Sequence, residues 1–548
     1  MSKVESSPPA PPRLSVPRRM WIPIAALALS AVGMIGLGML PSDRLAVGDR
    51  RLYSFILAAA GFLAVGAWFF FGSGVSRRAR AASAVVVGGV VLFLVLGVRR
   101  VEFSGDMDPT FDFRWTPDRF AVLEQHRAQQ RADGGLAPIR VEVVPDDVWE
   151  YRGERRDGII PGPKLARDWS AKPPRLVWRQ PVGGGYASFV VVGPTLITIE
   201  QRRDQEAVVA YDADTGIERW VYEYPALFHE TLGGDGPRGT PTFHDGKLYA
   251  LGATGVLSCL DFVTGKPLWS FNILNENECG NLDWAMSGSP LVYDDVVLVN
   301  PGNQKGSAAS RSIVAYALAD GKRRFAGGES RAGYASPMLV TLAGARQLLI
   351  FDAVGLAGFD AADGRELWRV PWKSEWDINA SQPIVVDDDR VFFTSTSGGA
   401  LVRIGQTDGR WSAVDAWRNR NMKCGYASPI LYQGHVYGID ENMLACVDVS
   451  TGKRLWKARG GQYGHGQILL RDDLLVVLSE AGELALVEAS PERFKELGRM
   501  PAIEGKTWNV PVLVGKRIFV RNHLEMAAYD LPTEKAEGRR QKAEGNDP

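Results

Sequence analysis

The chain is short of the residues that most often carry chemistry. Of its 548 residues, four are cysteine (Cys259, Cys279, Cys424 and Cys446) and six are histidine. No Cys-x-x-Cys-His run occurs, which excludes covalent attachment of a c-type haem. The histidines (His126, His229, His244, His435, His465 and His523) show no His-x-x-x-His spacing, so no zinc or other metal site is expected. Glycine-rich runs at Gly183 to Gly185 and Gly233 to Gly236 neither follow a strand nor open a helix, which leaves phosphate binding unsupported. Net charge is absent too, with 63 basic and 63 acidic residues.

That balance hides an asymmetry. Residues 1–100 hold 12 Lys and Arg against 3 Asp and Glu, leaving 51 against 60 in the rest, a formal charge of −9. A mildly acidic body of this kind lacks the basic surface that nucleic acid demands, so no nucleic-acid partner is expected. In the basic portion, Trp21 to Leu40, Leu52 to Phe71 and Ala81 to Val98 carry no charged residue. Each is close to the roughly 20 residues needed to cross a bilayer as a helix, and three membrane helices are expected. A cleaved signal peptide fits poorly, because two further spans follow and no small-residue cleavage pattern precedes the Asp43 to Arg51 loop. Lys3, Arg13, Arg18 and Arg19 precede the first span. Arg77, Arg78 and Arg80 form the second loop without an acid, whereas the first loop mixes arginines with Asp43 and Asp49. The positive-inside rule then puts the N-terminus in the cytoplasm and everything after Val98 outside it, with Arg99 and Arg100 running against the assignment.

Beyond residue 180 one phrase recurs eight times. Its clearest copies are YDADTGIERW (Tyr211 to Trp220), LDFVTGKPLW (Leu260 to Trp269), FDAADGRELW (Phe359 to Trp368) and VDVSTGKRLW (Val447 to Trp456). Turn glycines at 216, 265, 321, 364, 409 and 452 recur roughly every 40 to 55 residues, a period of propellers and solenoids. Apolar alternation before Asp-x-x-Thr/Asp-Gly predicts a β-hairpin, with Asp capping its own backbone and Gly supplying positive φ. A further short strand stands upstream of each hairpin, giving eight units of about four strands. The eighth, through Ala527 to Lys535, lacks its aromatic strand, and an orphan strand of that type, Arg175 to Gly183 with Trp178, precedes the first. Their pairing would close a ring and remove exposed sheet edges. Seven blades remain the alternative, because units three, five and seven are degenerate.

The Asp-x-x-Thr/Asp-Gly-x-x-x-Trp repeat followed by Ser-Pro resembles the PQQ-like (pyrrolo-quinoline quinone repeat) propeller superfamily, which includes quinoprotein alcohol dehydrogenases and BamB-like assembly lipoproteins. The resemblance covers residues 171–534 and implies an all-β, eight-bladed propeller; it says little about chemistry. It divides the chain into a membrane anchor (1–100), a linker or lid segment (101–170, with a short helix at Pro117 to Ala132), the propeller (171–534) and a disordered charged tail (535–548). The close of the linker, Val148 to Gly162, resembles a stretch preceding the propeller in many bacterial PQQ-like proteins. Two departures matter. No cysteine lies in the first 258 residues to carry the lipid of a BamB-type lipoprotein, so helices would hold the protein in the bacterial inner membrane with its propeller in the periplasm. No two cysteines are adjacent, as they are in the alcohol dehydrogenases. Cys259 and Cys446 occupy equivalent points of units two and six and read as small buried hydrophobes. Three units separate Cys279 from Cys424, which argues against a disulfide.

Two functions compete. Membrane helices followed by such a propeller are similar to membrane-bound, PQQ-dependent glucose dehydrogenases, which pass electrons to membrane quinone. A dehydrogenase of that kind for alcohols or sugars needs a calcium site of oxygen ligands and an Asp base; Asp377, Asn379 and a stacking floor at Trp284 are the weak candidates. Their flanks do not reproduce the family's ligand spacing, and units of about 45 residues leave little insertion to enclose a substrate. The favoured reading is a non-catalytic scaffold that binds a periplasmic protein or small molecule, with no cofactor. Aligned on Ser-Pro, one residue per unit falls three places earlier: Tyr186, Arg238, Ser287, Tyr334, Ala380, Tyr426, His465 and Trp508. These are expected to ring the channel mouth, with aromatics and Arg as binding hot spots or as a plug.

Overall fold

Apolar alternation and Asp-Gly turns become, in every repeat, a four-stranded antiparallel meander. The computed structural model describes residues 20–40, 47–132, 139, 141–302 and 311–534, so the charged tail lies outside the described residues. The chain forms two compact units, Met1–Thr116 and Pro117–Pro548. In the second unit eight four-stranded sheets follow one another, from blade 1 (Val190–Val192, Thr195–Arg202, Gln205–Asp212, Glu218–Pro225) to blade 8 (Val512–Val514, Arg517–Arg521, Glu525–Asp530). Blade 8 is completed by the N-terminal strand Arg175–Pro181, which runs antiparallel to Glu525–Asp530 with Trp178 opposite Ala528. The architecture is an eight-bladed propeller, and its degenerate units three, five and seven each supply a full sheet.

The two most regular residues of the repeat meet across blade junctions. Asp212 Oδ1 accepts the Asp214 and Thr215 amides at 3.0 and 2.9 Å, and Gly216 sits at φ +74°. A Cβ on Gly216 would stand 2.9 Å from the Trp178 ring of the preceding blade, whose Nε1 donates to the Ala213 carbonyl at 3.0 Å. Trp220 repeats this on Phe262 and Trp417 on Val449, at 3.0 and 2.8 Å. Glycine is required there both for its φ and because an indole face occupies the space.

A second belt explains the Ser of Ser-Pro. The Ser188 amide donates to Thr240 Oγ1, Thr240 to Ser289 Oγ, Ser289 to Ser336 Oγ, Ser336 to Gln382 Oε1 and Gln382 to Ser428 Oγ, all at 2.9–3.2 Å. Each buried bond is worth about 1 kcal/mol net and ties the inner strand of one blade to the next. Between blades the core is apolar. Cys259 lies opposite Tyr249 and Trp269, and Cys446 opposite Tyr437 and Trp456, the same cross-strand trio in blades 2 and 6. Burial pushes these thiols up to about 11 and about 12. All four cysteines are free, Cys279 and Cys424 included.

Among the described residues of the first unit, three helices are long and apolar enough to cross a membrane, Trp21–Met39, Gly48–Gly72 and Arg77–Gly97. The third starts earlier than its apolar run because Ser76 caps it, accepting the Ala79 amide at 3.3 Å. It leads into a hairpin of Val98–Phe103 and Pro109–Phe113. There Phe113 and Trp115 stack at 4.5 Å and Phe93 meets Trp115 at 5.6 Å. Arg51 pairs with Asp108, Arg99 with Asp112 at 3.5 Å and Arg100 with Glu102 at 3.6 Å.

Candidate functional site

One end of the propeller channel is closed by the chain itself. Val148 bridges to Val191 of blade 1, the Trp149 carbonyl accepts the Phe243 amide of blade 2, and Ile159 bridges to Leu470 of blade 7. Between them two arginines, both at positive φ and both buried, reach the inner strands. Arg156 donates to the carbonyls of Ser289, Pro290 and Pro337 at 2.6–3.2 Å, with its Nε 2.7 Å from Glu150. Arg152 donates to Ile468 and Pro429 at 3.1 and 3.3 Å. Residues 148–160 thus form a floor touching inner strands on opposite sides of the ring. The stretch read as linker or lid falls on both sides of the division at Thr116, with its helix, Arg119–Ala132, beside blade 1 through Arg127 and Glu218 at 2.8 Å.

The aligned ring residues precede the inner strands, at the channel's other end. Tyr186 and Trp508 lie 5.3 Å apart, Trp508 and Tyr426 stack at 5.8 Å, and Tyr426 meets His465 edge-on at 4.9 Å, which brings blades 1, 8, 6 and 7 into one aromatic cluster. Glu480 orients it, accepting Trp508 Nε1 and the His465 amide, both at 3.0 Å. Tyr426 is its most open member, 38 % exposed. The sequence alignment missed three participants: Lys506, whose ammonium stands 4.5 Å over Trp508; His523, 6.3 Å from Tyr186; and Glu480. Lys506 lies two places before an aligned position, a signal that the alignment did not use.

The other ring positions differ. Arg238 does not project as a free cation: its guanidinium donates to the carbonyls of Gly233, Gly234 and Gly236, and burial lowers its pKa. It thereby shapes the connection Ala226 to Arg238, which passes over the mouth. Gly234, at φ +76°, comes so close to Tyr186 that a Cβ would stand 3.1 Å from the phenol oxygen, and Lys506 donates to the Leu232 carbonyl at 3.2 Å. The glycine-rich run at 233–236 is this crossover. Ser287 turns its hydroxyl to the Ala285 carbonyl at 3.2 Å, and Ala380 contributes no polar group. Tyr334 joins Trp284 edge-on at 5.9 Å, apart from the main cluster, with burial pushing its phenol up to about 12.

The dehydrogenase candidates are engaged elsewhere. The Asp377 carboxylate lies 3.3 Å from Arg331 Nη1. Asn379 is fully buried; its side-chain amide donates to the Asp352 carbonyl at 2.7 Å, and its backbone carbonyl accepts the amides of Tyr334 and Ala335. Among the described residues no three His, Cys, Asp or Glu side chains converge to hold a metal ion. The Asp377 carboxylate is thus taken up by an arginine, whereas the buried Asn379 side-chain oxygen has no hydrogen-bond partner among the described residues.

A family profile described as outer membrane protein assembly factor BamB matches residues 167–324 and 205–458, together more than half of the chain. The chain belongs to this BamB-like, PQQ-repeat family. Among solved structures, BamB from Moraxella catarrhalis is 16% identical, covering 66% of this chain and 99% of its own, with a TM-score of 0.48. Quinohemoprotein alcohol dehydrogenase ADHIIG from Pseudomonas putida HK5 is 12% identical, covering 71% and 81%, with a TM-score of 0.51. At such identity the likeness to the alcohol dehydrogenase is one of fold alone. No curated protein matches the chain. The BamB-like repeat accounts for the blade junctions, and the mouth has to be read from its own side chains.

Proposed function

We propose that this protein is a membrane-anchored, periplasmic scaffold that binds a protein segment or small molecule at the channel mouth and is not an enzyme. The observation that carries this reading is the pairing of a sealed floor with an aromatic mouth. Arg152 and Arg156 occupy one end, and at the other Tyr426, His465, Trp508 and Lys506 gather, with Tyr426 partly exposed. Aromatic and cationic side chains in such a setting are the residue types that dominate binding energy. No cofactor is required. Anchoring is in the bacterial inner membrane, N-terminus in the cytoplasm. The basic residues before the first span and in the second loop, Arg77, Arg78 and Arg80, support that orientation.

The competing reading, a PQQ-dependent alcohol or sugar dehydrogenase, makes a different experimental demand. Purified protein incubated with PQQ and calcium should show no stoichiometric quinone absorbance after desalting and no dye-coupled oxidation of alcohols or glucose. Retained quinone with turnover would overturn the scaffold reading.

A further inference from the structure

The mouth cluster occupies blades 6, 7, 8 and 1, and the same face of the propeller carries a second feature at the junction of blades 4 and 5. Strand order places the end of Glu366–Pro371, the turn at Ser397 and the end of Arg410–Asn419 on that face. Together they enclose a groove of about 350 Å³ lined by Trp372, Lys373, Ser397, Arg418, Asn419 and Arg420, with three cations and no acid. Arg418 lies 4.8 Å above the Trp372 ring and pairs with Asp415 outside the groove. Lys373 and Arg420 are exposed, and among the described residues neither side chain makes a hydrogen bond or ion pair.

Three residues beyond Lys373, at most about 11 Å of backbone away, stands Trp376. It is 75 % exposed and held at φ 57°, followed by Asp377 at φ 55°. Two consecutive non-glycine residues in the left-handed region make this a strained turn. The Arg331 pair to Asp377 holds this turn, and the result is a large indole projected into water. A strained turn presenting tryptophan beside Lys373 and Arg420, two exposed cations without an acid partner among the described residues, has the composition of a binding hot spot, not of a solvated loop.

We infer that the junction of blades 4 and 5 on the mouth face docks an extended acidic peptide segment of a partner protein, with Lys373 and Arg420 receiving its carboxylates and Trp376 an apolar side chain. This rests on the scaffold reading and adds the chemistry of the partner. The probe is a fluorescein-labelled peptide of Glu and Asp interspersed with Leu, titrated against the full-length protein in detergent micelles and read by fluorescence anisotropy. Binding should weaken as salt rises. The double variant K373E/R420E and, separately, W376A should each weaken it at least tenfold, with the melting temperature unchanged because all three side chains are exposed. Absence of binding at low salt, equal binding by the variants, or displacement by inorganic phosphate as effective as by unlabelled peptide would overturn the inference. Peptide binding that these variants weaken, together with mouth variants that keep full capture, would instead defeat the reading of the mouth alone.

Discussion

Removing Trp178 tests whether a strand that precedes blade 1 stabilises the whole ring. Its indole is half-buried, donates Nε1 to the Ala213 carbonyl at 3.0 Å, covers Gly216 and lies 6.1 Å from Phe519. A fully buried aromatic costs about 3–5 kcal/mol on truncation, so half that burial with loss of one hydrogen bond gives about 2–3 kcal/mol for Trp178→Ala. Trp178→Phe keeps most of the packing and should lose about 1 kcal/mol, the hydrogen bond alone. Urea unfolding of the full chain in micelles, followed by circular dichroism, measures both. Hydrogen exchange should report faster opening in blade 1 strands such as Thr195–Arg202 as well as in Glu525–Asp530, because closure couples the two. A loss below about 1 kcal/mol for the alanine variant, or opening confined to Glu525–Asp530, would refute the closure argument.

Acid should act on the same junction. Burial raises the Asp530 carboxyl, but its bonds from Arg517 at 2.9 Å and Arg175 at 2.7 Å outweigh burial and hold it below the ordinary value of 3.8. A depressed folded-state pKa stabilises at neutral pH and ceases to do so as pH falls through that lowered value, so the stability gap between wild type and Asp530→Asn should close below about pH 4. The four thiols should resist maleimide at pH 7 in the native state and all react in urea, with no mass change on reduction, since burial pushes Cys259 and Cys279 up to about 11; rapid native labelling of Cys259 would contradict the burial. Alkaline phosphatase fused after Thr116 should be active and after Gly74 silent; activity in both would refute the orientation.

Much of the fold was legible because repeats state their own geometry. Asp, Gly and Trp recur since each blade must solve the same turn and the same junction, and the orphan strand around Trp178 announced closure. The first span and the helix at Arg119–Ala132 were readable from composition and periodicity alone. The site was less legible. Alignment on Ser-Pro located Tyr186, Tyr426, His465 and Trp508, but equivalent backbone positions do not dictate where side chains turn. Arg238 spends its donors on the carbonyls of its own connection, and Tyr334 turns to Trp284. The floor was opaque for a different reason: nothing in VWEYRGERRDGIIPG distinguishes Arg152 and Arg156 from surface charges, and the converging carbonyls of inner strands, with Glu150 beside Arg156, make burial of two guanidinium groups tolerable. The strained turn at Trp376 carries little sequence signal, since Asp377 suits positive φ but a bulky Trp at 376 does not announce it.

The measurement closest to the central claim is capture of periplasmic ligand by the double variant Tyr426→Ala/His465→Ala, made in parallel with its melting curve. Tyr426 is partly exposed, and the two rings contact each other at the mouth. If the mouth is a binding site, the variant melts as the wild type does and loses capture in a periplasmic pull-down. A variant that melts at markedly lower temperature, or that keeps full capture, would show the cluster to be a packing plug and contradict the account.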